Sequence, residues 1–312
     1  MPDALPRSRY DLDRAGVADL LAGQPRYRVD QVWDGLYVRA LEPSAMTDLP
    51  RALRDRLDEV APPALTVATE RRTDDGDTVK SLWQLHDGAL IESVLMHYRD
   101  RTTVCVSTQA GCAMACGFCA TGQAGFRRHL SAGEIVEQVV RARRDAAATG
   151  RRLSNVVFMG MGEPLANYDR LWVAIRRLHD DMGLSARHLT VSTVGIVAGI
   201  RRMAGEPEPV NLAVSLHAAN DELRDELVPI NRRYPLEQLM EACASYLAAK
   251  GRRLSFEWAL IDGVNDRDSD AKELARLCRR FRLPAHVNLI PLNPTPGYPT
   301  VGSPAPRVEA FR

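Results

Sequence analysis

Residues 111–119 read Gly-Cys-Ala-Met-Ala-Cys-Gly-Phe-Cys and hold three of the six cysteines of this 312-residue chain. In a reducing compartment, cysteines spaced Cys-x3-Cys-x2-Cys indicate a metal or a catalytic site rather than disulfides. Thiolates suit iron–sulfur clusters and zinc, and a 4Fe–4S cluster takes four ligands. Either a distant residue supplies the fourth ligand, or one iron stays open for another molecule. A structural zinc site completed by His129 or another cysteine is the alternative.

The cysteine stretch follows the first of six strand patterns, and from there strand and helix patterns alternate. The predicted strands are 103–107, 155–160, 189–193, 211–216, 254–261 and 286–292. Helical patterns fill the gaps, at 131–148, 171–181, 196–203, 236–250 and 269–281. This alternation is typical of a parallel sheet with right-handed crossovers. Six strands are too few for a closed eight-stranded barrel. We therefore predict an α/β fold, an open partial (β/α)6 barrel.

The first hundred residues differ from this pattern. Apolar residues at helical spacing predict short amphipathic helices at 15–22, 29–40 and 50–60, and Pro62-Pro63 ends that region. Strand patterns at 65–70, 78–85 and 89–97 are separated by Asp-Gly turns, which predict a meander. We expect a helical N-terminal accessory domain (1–62), a β meander or linker (63–100) and the barrel core (101–312).

Composition places the chain among ordinary globular proteins. Apolar residues make up 45% and charged residues 26%, which excludes disordered, collagen-like and disulfide-scaffold classes. No apolar run approaches the length of a membrane span and no secretory signal is visible, so we expect a cytoplasmic protein. Residues 101–155 carry eight basic side chains and three acidic ones. These arginines are candidates for phosphate contacts, although cations near the end of the helix at 131–148 are favourable there anyway.

Polar residues follow several predicted strands. Gly162 and Glu163 come after the second strand, where glycine lets a ligand approach the backbone and a carboxylate can hold an ammonium group. Ser192 ends the third strand, and His217 follows the fourth. The strand ends of a barrel meet at one face, where barrel enzymes place their sites. We therefore predict a site on that face, beside the cysteines.

Together these residues resemble the radical S-adenosylmethionine (SAM) superfamily, and within it the RlmN/Cfr family of RNA methyltransferases. The resemblance covers essentially the whole chain. It rests on the three cysteines with Phe118 and on the stretches 158–165, 191–193, 212–217 and 288–294.

The resemblance implies methylation of a ring carbon of adenosine. Members of the RlmN type act on carbon 2 of an adenosine in 23S ribosomal RNA and of the adenosine beside the tRNA anticodon, and Cfr-type members act on carbon 8. We expect carbon 2. It further implies a 4Fe–4S cluster on Cys112, Cys116 and Cys119, and two SAM molecules per turnover. One SAM methylates a cysteine, and the other is cleaved to a 5′-deoxyadenosyl radical that activates this methyl group. We also expect an external electron donor, no membrane partner, and a monomer.

The same resemblance assigns roles to other residues. Cys105 would resolve the protein–RNA crosslink by forming a disulfide, and Glu92 would accept a proton. The expected SAM contacts are Gly162, Glu163, Ser192, Ser215, Leu216, His217 and Asn293. From the sequence alone, a structural role is favoured for both: Cys105 as an ordinary core residue and Glu92 as the outward-facing member of an alternating strand. Cys243 and Cys278 lie in helical patterns and are expected in the core.

The chain departs from the family in one respect. The family's methyl-carrying cysteine lies well beyond the asparagine matched by Asn293, and no cysteine follows Asn293 in these 312 residues. The expectation is a truncated chain that assembles a cluster and binds SAM but does not turn over on RNA. A non-catalytic, zinc- or cluster-stabilised RNA-binding or adaptor protein is the alternative function.

Overall fold

The computed structural model describes residues 8–312, which divide into two compact units. The first unit holds the described residues through Ala110, together with His129–Gly160 and Asp169–Leu189. The second holds Gly111–Arg128, Met161–Tyr168 and Thr190–Arg312. The domain limits expected at residues 62 and 100 remain a prediction.

Helices and strands occur close to the predicted places. The helices are α1 Arg14–Leu20, α2 Tyr27–Trp33, α3 Arg51–Val60, α4 Ala120–Gln123, α5 Ala132–Ala148, α6 Tyr168–Arg176, α7 Val197–Gly205, α8 Asp221–Leu227, α9 Leu236–Lys250, α10 Asp268–Arg280 and α11 Ala305–Phe311. The strands are β1 Thr66–Thr73, β2 Thr78–Gln84, β3 Leu90–His97, β4 Thr102–Cys105, β5 Gln109–Gly111, β6 Phe126–His129, β7 Asn155–Phe158, β8 Leu189–Thr193, β9 Asn211–Ser215, β10 Leu254–Leu260 and β11 Ala285–Pro291.

In the first unit, β1, β2, β3 and β4 form an antiparallel meander, and β7 pairs parallel with β4. The turn between β1 and β2 places Asp75 at a φ of 54° and Gly76 at 93°. Such left-handed backbone suits Asp-Gly, so the predicted hairpin follows from its turn chemistry. The meander and the start of the parallel sheet are as predicted.

In the second unit, β8, β9, β10 and β11 are all parallel. Their pairing sets Ser192 beside Ala213, and Glu257 between Ser215 and Asn288. The strands are joined by helices, as parallel strands require. All six predicted core strands are present, which confirms the α/β fold class.

The helical N-terminal segment differs in detail from the prediction. Instead of one helix over 29–40, α2 ends at Trp33 and continues as a π-helical turn, Asp34–Val38. This turn directs Tyr37 into an aromatic group, with ring centroids 5.7 Å from Tyr10 and 4.5 Å from Trp33. Buried aromatic contacts outweigh the small cost of irregular helix geometry.

Three arginines considered for RNA contacts instead hold the first unit together. Arg141 pairs with Glu137 at 2.7 Å on the next turn of α5. Arg143 donates to the backbone carbonyl of Tyr37 at 3.2 Å, and Arg144 binds Glu42 and the carbonyl of Ala40. Their positive charge therefore serves the fold rather than a free surface. In the part of the chain that the structure describes, no helix is both long and apolar enough to cross a membrane.

Candidate active site

The three clustered cysteines lie in one tight loop of the second unit. The backbone N–H of Cys119 donates to the carbonyl of Cys116 at 3.1 Å, and that of Cys112 donates to Gly125 at 2.8 Å. Helix α4 begins directly after Cys119. A side chain at Gly122 would have its Cβ only 2.8 Å from the Cys116 carbonyl oxygen. Only glycine permits this close passage of backbone over the loop.

Burial keeps two thiols of the loop protonated in the structure. Burial raises the pKa of the Cys116 thiol to about 12, and the neighbouring Cys119 and Cys112 add to this effect. Burial also raises the pKa of Cys112. Thiolates are the form that binds iron or zinc, so loading the loop with a cationic group requires proton release. The Cys112 and Cys116 thiols therefore give up their protons only when a cationic group takes their place.

The loop fits a 4Fe–4S cluster in number and type of donor. Within residues 8–312, no three His, Cys, Asp or Glu side chains are grouped around a point where one metal ion could bind. Three thiols would leave one iron of such a cluster open for another molecule.

Aromatic and apolar side chains form a wall beside the cysteines. The Phe118 ring meets the His217 ring edge-on, with centroids 4.9 Å apart. The Tyr298 ring also meets Phe118 edge-on, with centroids 6.4 Å apart. Phe118 and Cys116 belong to one buried apolar cluster with Ala218, Leu227, Val228, Ala259 and Ile261. This wall excludes water from one side of the loop.

Two predicted SAM contacts, Ser192 and Ser215, share one face of the sheet. Ser192 lies beside Ala213, which is two residues from Ser215. Side chains paired in register, and those two apart in one strand, point to the same face. Glu257 and Asn288 continue the row from Ser215 across β10 and β11. The structure thus places a polar row at the level where β9 ends.

Glu257 is a member of this row that the sequence analysis missed. Its carboxylate accepts a hydrogen bond from the Asn288 amide at 2.8 Å, and burial raises its pKa. Because Glu257 lies within an otherwise apolar strand, only its position in the middle of a predicted core strand could have drawn attention to it.

Glu163 is buried and ties two loops of the site together. Its carboxylate accepts from the backbone N–H of Leu165 at 3.0 Å and of Val194 at 2.9 Å. Burial raises its pKa to about 7, although these hydrogen bonds act in the opposite direction. Gly162, just before it, has a φ of 98°. Gly162 therefore forms a turn that glycine adopts readily, beside a carboxylate that can gain or lose a proton near neutral pH.

His217 is held in an unusual conformation. It has a φ of 61°, and its ring Nδ1 accepts the backbone N–H of Ala259 at 2.9 Å. Burial, together with the nearby Arg224 guanidinium, lowers the pKa of His217 to about 3. The ring is therefore neutral, with its proton on Nε2.

Arg224 positions the segment that carries three predicted contacts, and the sequence analysis missed it. This fully buried guanidinium donates to the backbone carbonyls of Leu216 at 3.0 Å, Ser215 at 3.2 Å and Val194 at 2.6 Å. A fourth bond, of 2.8 Å, reaches Asn231. Burial lowers the pKa of Arg224 to about 10, so it keeps its charge at neutral pH. An arginine within an acidic helix gives no local sign of this role.

Asn293 follows β11 and is exposed, and a glutamine anchors the segment after it. Gln123 donates to the carbonyl of Gly117 at 2.7 Å and to the Thr295 hydroxyl at 2.9 Å. Its own carbonyl accepts from the backbone of Gly297 at 3.2 Å. Gln123 thus joins the cysteine loop to the strand end that carries Asn293, and the sequence analysis did not find it.

Cys105 and Glu92 lie in the first unit and share one face of its sheet. Cys105 pairs with Val94, which is two residues from Glu92. Burial raises the pKa of the Cys105 thiol to about 11. Glu92 is half-exposed and forms an ion pair of 2.8 Å with Lys80. The two residues thus form a local pair, whereas the cysteine loop and the predicted SAM contacts all lie in the second unit.

Comparisons with known proteins agree with this geometry. A family model described as the radical SAM superfamily matches residues 106–278. A protein of Salinispora tropica named probable dual-specificity RNA methyltransferase RlmN is 54% identical over 319 residues, which covers 98% of this chain and 85% of the relative. A protein of the same name from Chloroflexus aurantiacus is 52% identical over 320 residues, with the same coverage. The crystal structure of a radical SAM methyltransferase from Sphaerobacter thermophilus matches with a TM-score of 0.93 and 52% identity, over 98% of this chain and 91% of that one.

Proposed function

Because the chain belongs to the radical SAM superfamily and, within it, to the RlmN family of RNA methyltransferases, we propose that it methylates carbon 2 of an adenosine in 23S ribosomal RNA and in tRNA. The observation that carries this proposal is the three-thiol loop at Cys112, Cys116 and Cys119, which lies inside the matched region. Carbon 2 of adenine is not nucleophilic, so a radical route suits this reaction better than direct transfer from a sulfonium, and such chemistry needs a cofactor.

The three thiolates would hold a 4Fe–4S cluster and leave one iron for the amino and carboxylate groups of SAM. When bound, this cluster supplies the electron that splits SAM into methionine and a 5′-deoxyadenosyl radical. Around it, Phe118 and its apolar neighbours keep water away. Gln123 donates a hydrogen bond to the Gly117 carbonyl inside this loop.

The SAM contacts in this proposal are Gly162, Glu163, Ser192, Ser215, Leu216, His217 and Asn293. The Glu163 carboxylate, buried at the turn after Gly162, would accept a hydrogen bond from the SAM ammonium group. Ser192 and Ser215 would offer hydroxyls from one face of the sheet. His217 would present its Nε2–H, because Nδ1 is already used by the backbone. Arg224 positions Ser215, Leu216 and Val194 and makes no contact with the cosubstrate in this proposal.

Glu92 and Cys105 would act on the RNA adduct. Glu92 would accept the proton that the modified carbon loses. Cys105 would attack the sulfur that links protein to RNA and form an S–S bond, while the S–C bond breaks and its electron pair stays on the carbon. Burial raises the pKa of Cys105 to about 11, so its thiol keeps its proton until this step, and the proton that it then loses balances the one that the released methyl carbon gains.

In this proposal two SAM molecules are used per turnover. The first methylates a cysteine, and the second is cleaved to activate that methyl group. The methyl-carrying cysteine has no counterpart after Asn293 in these 312 residues. The enzyme would work in the cytoplasm as a monomer and would take electrons from an external donor.

Anaerobic purification and SAM cleavage test the radical chemistry. We expect a brown protein with about four irons per chain that forms 5′-deoxyadenosine under reduction. Cys116→Ala should lose the iron and the product, whereas Cys243→Ala, which removes a buried thiol from α9, should keep both. A colourless protein with one zinc per chain would contradict the proposal.

The base position needs a separate measurement. Deleting the gene in its source organism should remove 2-methyladenosine from digests of 23S ribosomal RNA and tRNA, as read by mass spectrometry. Loss of 8-methyladenosine instead would overturn the assignment to carbon 2.

A further inference from the structure

A cavity of about 560 Å³ lies in the first unit, away from any residue assigned above. Three turns form it: 98–101 between β3 and β4, 151–154 before β7, and 183–188. Because the turns precede strands that lie side by side, their side chains converge on one volume. The cavity is large enough for a phosphate with its attached sugar.

The lining of this cavity is strongly basic. It contains Arg99, Arg101, Arg151 and Arg152, with Asp100 as its single acidic member. Arginines crowded around a concave surface create a positive potential that attracts anions. The guanidinium fork matches the oxygens of a phosphate better than any other side chain does.

Neighbouring groups respond to this positive charge. Burial lowers the pKa of Arg143, and the charge of Arg152 adds to that shift. Burial also lowers the pKa of His97, and the charge of Arg151 acts in the same direction. In both cases burial is the larger cause, and the charge of an arginine that lines the cavity adds to it.

Two of the four arginines are held in place and two are not. Arg101 lies over the Tyr98 ring at 4.3 Å and 3.2 Å from Asp100, and Arg151 pairs with Asp77 at 2.7 Å. Arg99 and Arg152 are exposed. Throughout the described residues 8–312, neither Arg99 nor Arg152 has a carboxylate partner within ion-pair distance. These two guanidinium groups therefore keep their full hydrogen-bonding capacity for a ligand.

We propose that this cavity binds phosphodiester groups of the RNA substrate, with Arg99 and Arg152 as phosphate ligands, while Arg101 and Arg151 are held in its lining by Asp100 and Asp77. The inference rests on the proposed function, since it assigns the anion to RNA. The proposal also separates the arginines of the basic stretch at 101–155 that would contact RNA from those that do not. Arg141, Arg143 and Arg144 bind protein groups, whereas Arg151 and Arg152 face the cavity.

The test compares two double variants of the cluster-loaded protein. In the first, Arg99→Ala is combined with Arg152→Ala. The control combines Arg51→Ala with Arg56→Ala, which removes the same charge from an exposed face of α3, where alanine suits the helix. Affinity for a fluorescent tRNA transcript is measured from about 50 to about 200 mM salt.

We expect the cavity variant to bind the transcript several-fold to about tenfold more weakly. Its slope of log affinity against log salt should be shallower by about 1.5, since each lost phosphate contact removes about 0.7 to 0.9. The Arg51/Arg56 control should bind like the parent. Combining Arg99→Lys with Arg152→Lys should restore most of the slope, because charge is kept. Formation of 5′-deoxyadenosine without RNA should be unchanged in every variant.

Several outcomes would overturn the inference. If the cavity variant and the control lose tRNA affinity to the same extent, the loss comes from the lower net charge and not from this cavity. If the cavity variant binds tRNA as well as the parent does, but only the parent binds inorganic phosphate or a mononucleotide, the cavity is the site of a small phosphate ligand. If the parent cleaves SAM but does not bind tRNA, the RNA part of the proposed function fails as well. If parent and cavity variant bind tRNA equally, only this inference fails.

Discussion

The Nε2 of Gln123 donates a hydrogen bond to the Thr295 hydroxyl at 2.9 Å, although 172 residues separate them in the chain. The same side chain binds the Gly117 carbonyl inside the cysteine loop. One amide therefore links the proposed cluster ligands to the segment that follows Asn293, a proposed SAM contact.

Gln123→Ala should weaken SAM binding while leaving the cluster in place. Without the amide, the segment after Asn293 loses its anchor, whereas the thiols remain. We expect the Kd for SAM to rise about tenfold, which corresponds to one lost pair of hydrogen bonds, with unchanged iron content. Equilibrium binding and iron analysis measure this, and Gln238→Ala on the exposed side of α9 is the control. Loss of iron together with SAM affinity would show that Gln123 supports the loop itself.

Gly122→Ala should disrupt the cysteine loop. The added Cβ would lie 2.8 Å from the Cys116 carbonyl oxygen and 3.1 Å from its nitrogen, so the backbone must move. We expect a loss of about 1 to 3 kcal/mol in stability and a lower iron content after reconstitution. Gly205→Ala at the end of α7, where a Cβ meets nothing within 4 Å, should load iron normally. Normal iron content in the Gly122 variant would contradict the expectation.

Arg224→Lys should lower the melting temperature by several degrees. Lysine keeps the charge but cannot reach the four acceptors at once, so buried carbonyls lose their partners. Losing such a network costs about 2 to 4 kcal/mol. Differential scanning calorimetry measures the change, and Arg232→Lys on the exposed turn after α8 serves for comparison. If both lysine variants have the same melting temperature as the parent, Arg224 does not position the segment 215–217.

Because of His217, the free energy of unfolding of the cluster-free protein should decrease in mild acid. Its folded-state pKa of about 3 lies below the ordinary value near 6.5. The stabilisation from the neutral ring is therefore present above pH 6.5 and is lost as pH falls toward 3. Between pH 7 and pH 5 this amounts to about 2 kcal/mol.

Urea unfolding of the parent and of His217→Gln at both pH values isolates this contribution. The variant should lose less stability on acidification than the parent does. Glu163 acts with the opposite sign, because its folded-state pKa is raised to about 7. The protonated carboxyl therefore stabilises the fold fully below about pH 4.5, and this stabilisation is lost as the pH rises through 7. Glu163→Gln should therefore steepen the loss in acid. Equal pH dependence in the parent and the histidine variant would rule out this assignment.

Local patterns predicted the fold well. Helix 236–250 and strand 189–193 were predicted with the bounds that the structure has. The helix is bracketed by Pro235 and by Gly251, which adopts a φ of 56° as a C-terminal cap. Such signals lie within a few residues of the element they end.

The candidate site was only partly predictable, for a physical reason. Cysteine spacing and strand-end residues leave a local pattern, so the loop and the row of serines could be proposed. Gln123 and Arg224 act mainly through hydrogen bonds to backbone groups, with Thr295 and Asn231 as their side-chain partners, and such bonds impose no pattern on the sequence. The same holds for Arg143 and Arg144, which bind the Tyr37 carbonyl and Glu42, both more than one hundred residues away.

The anchor between Gln123 and residues 295–297 also bears on biosynthesis. The ribosome completes the cysteine loop about 170 residues before it reaches Thr295. At roughly 5 to 20 residues per second, about ten to thirty seconds pass between the synthesis of the cysteine loop and that of Thr295. Because iron binding is expected to need the thiols and not the Gln123 anchor, the cluster can be inserted in that interval, and the segment after Asn293 would then dock against a loop that is already loaded.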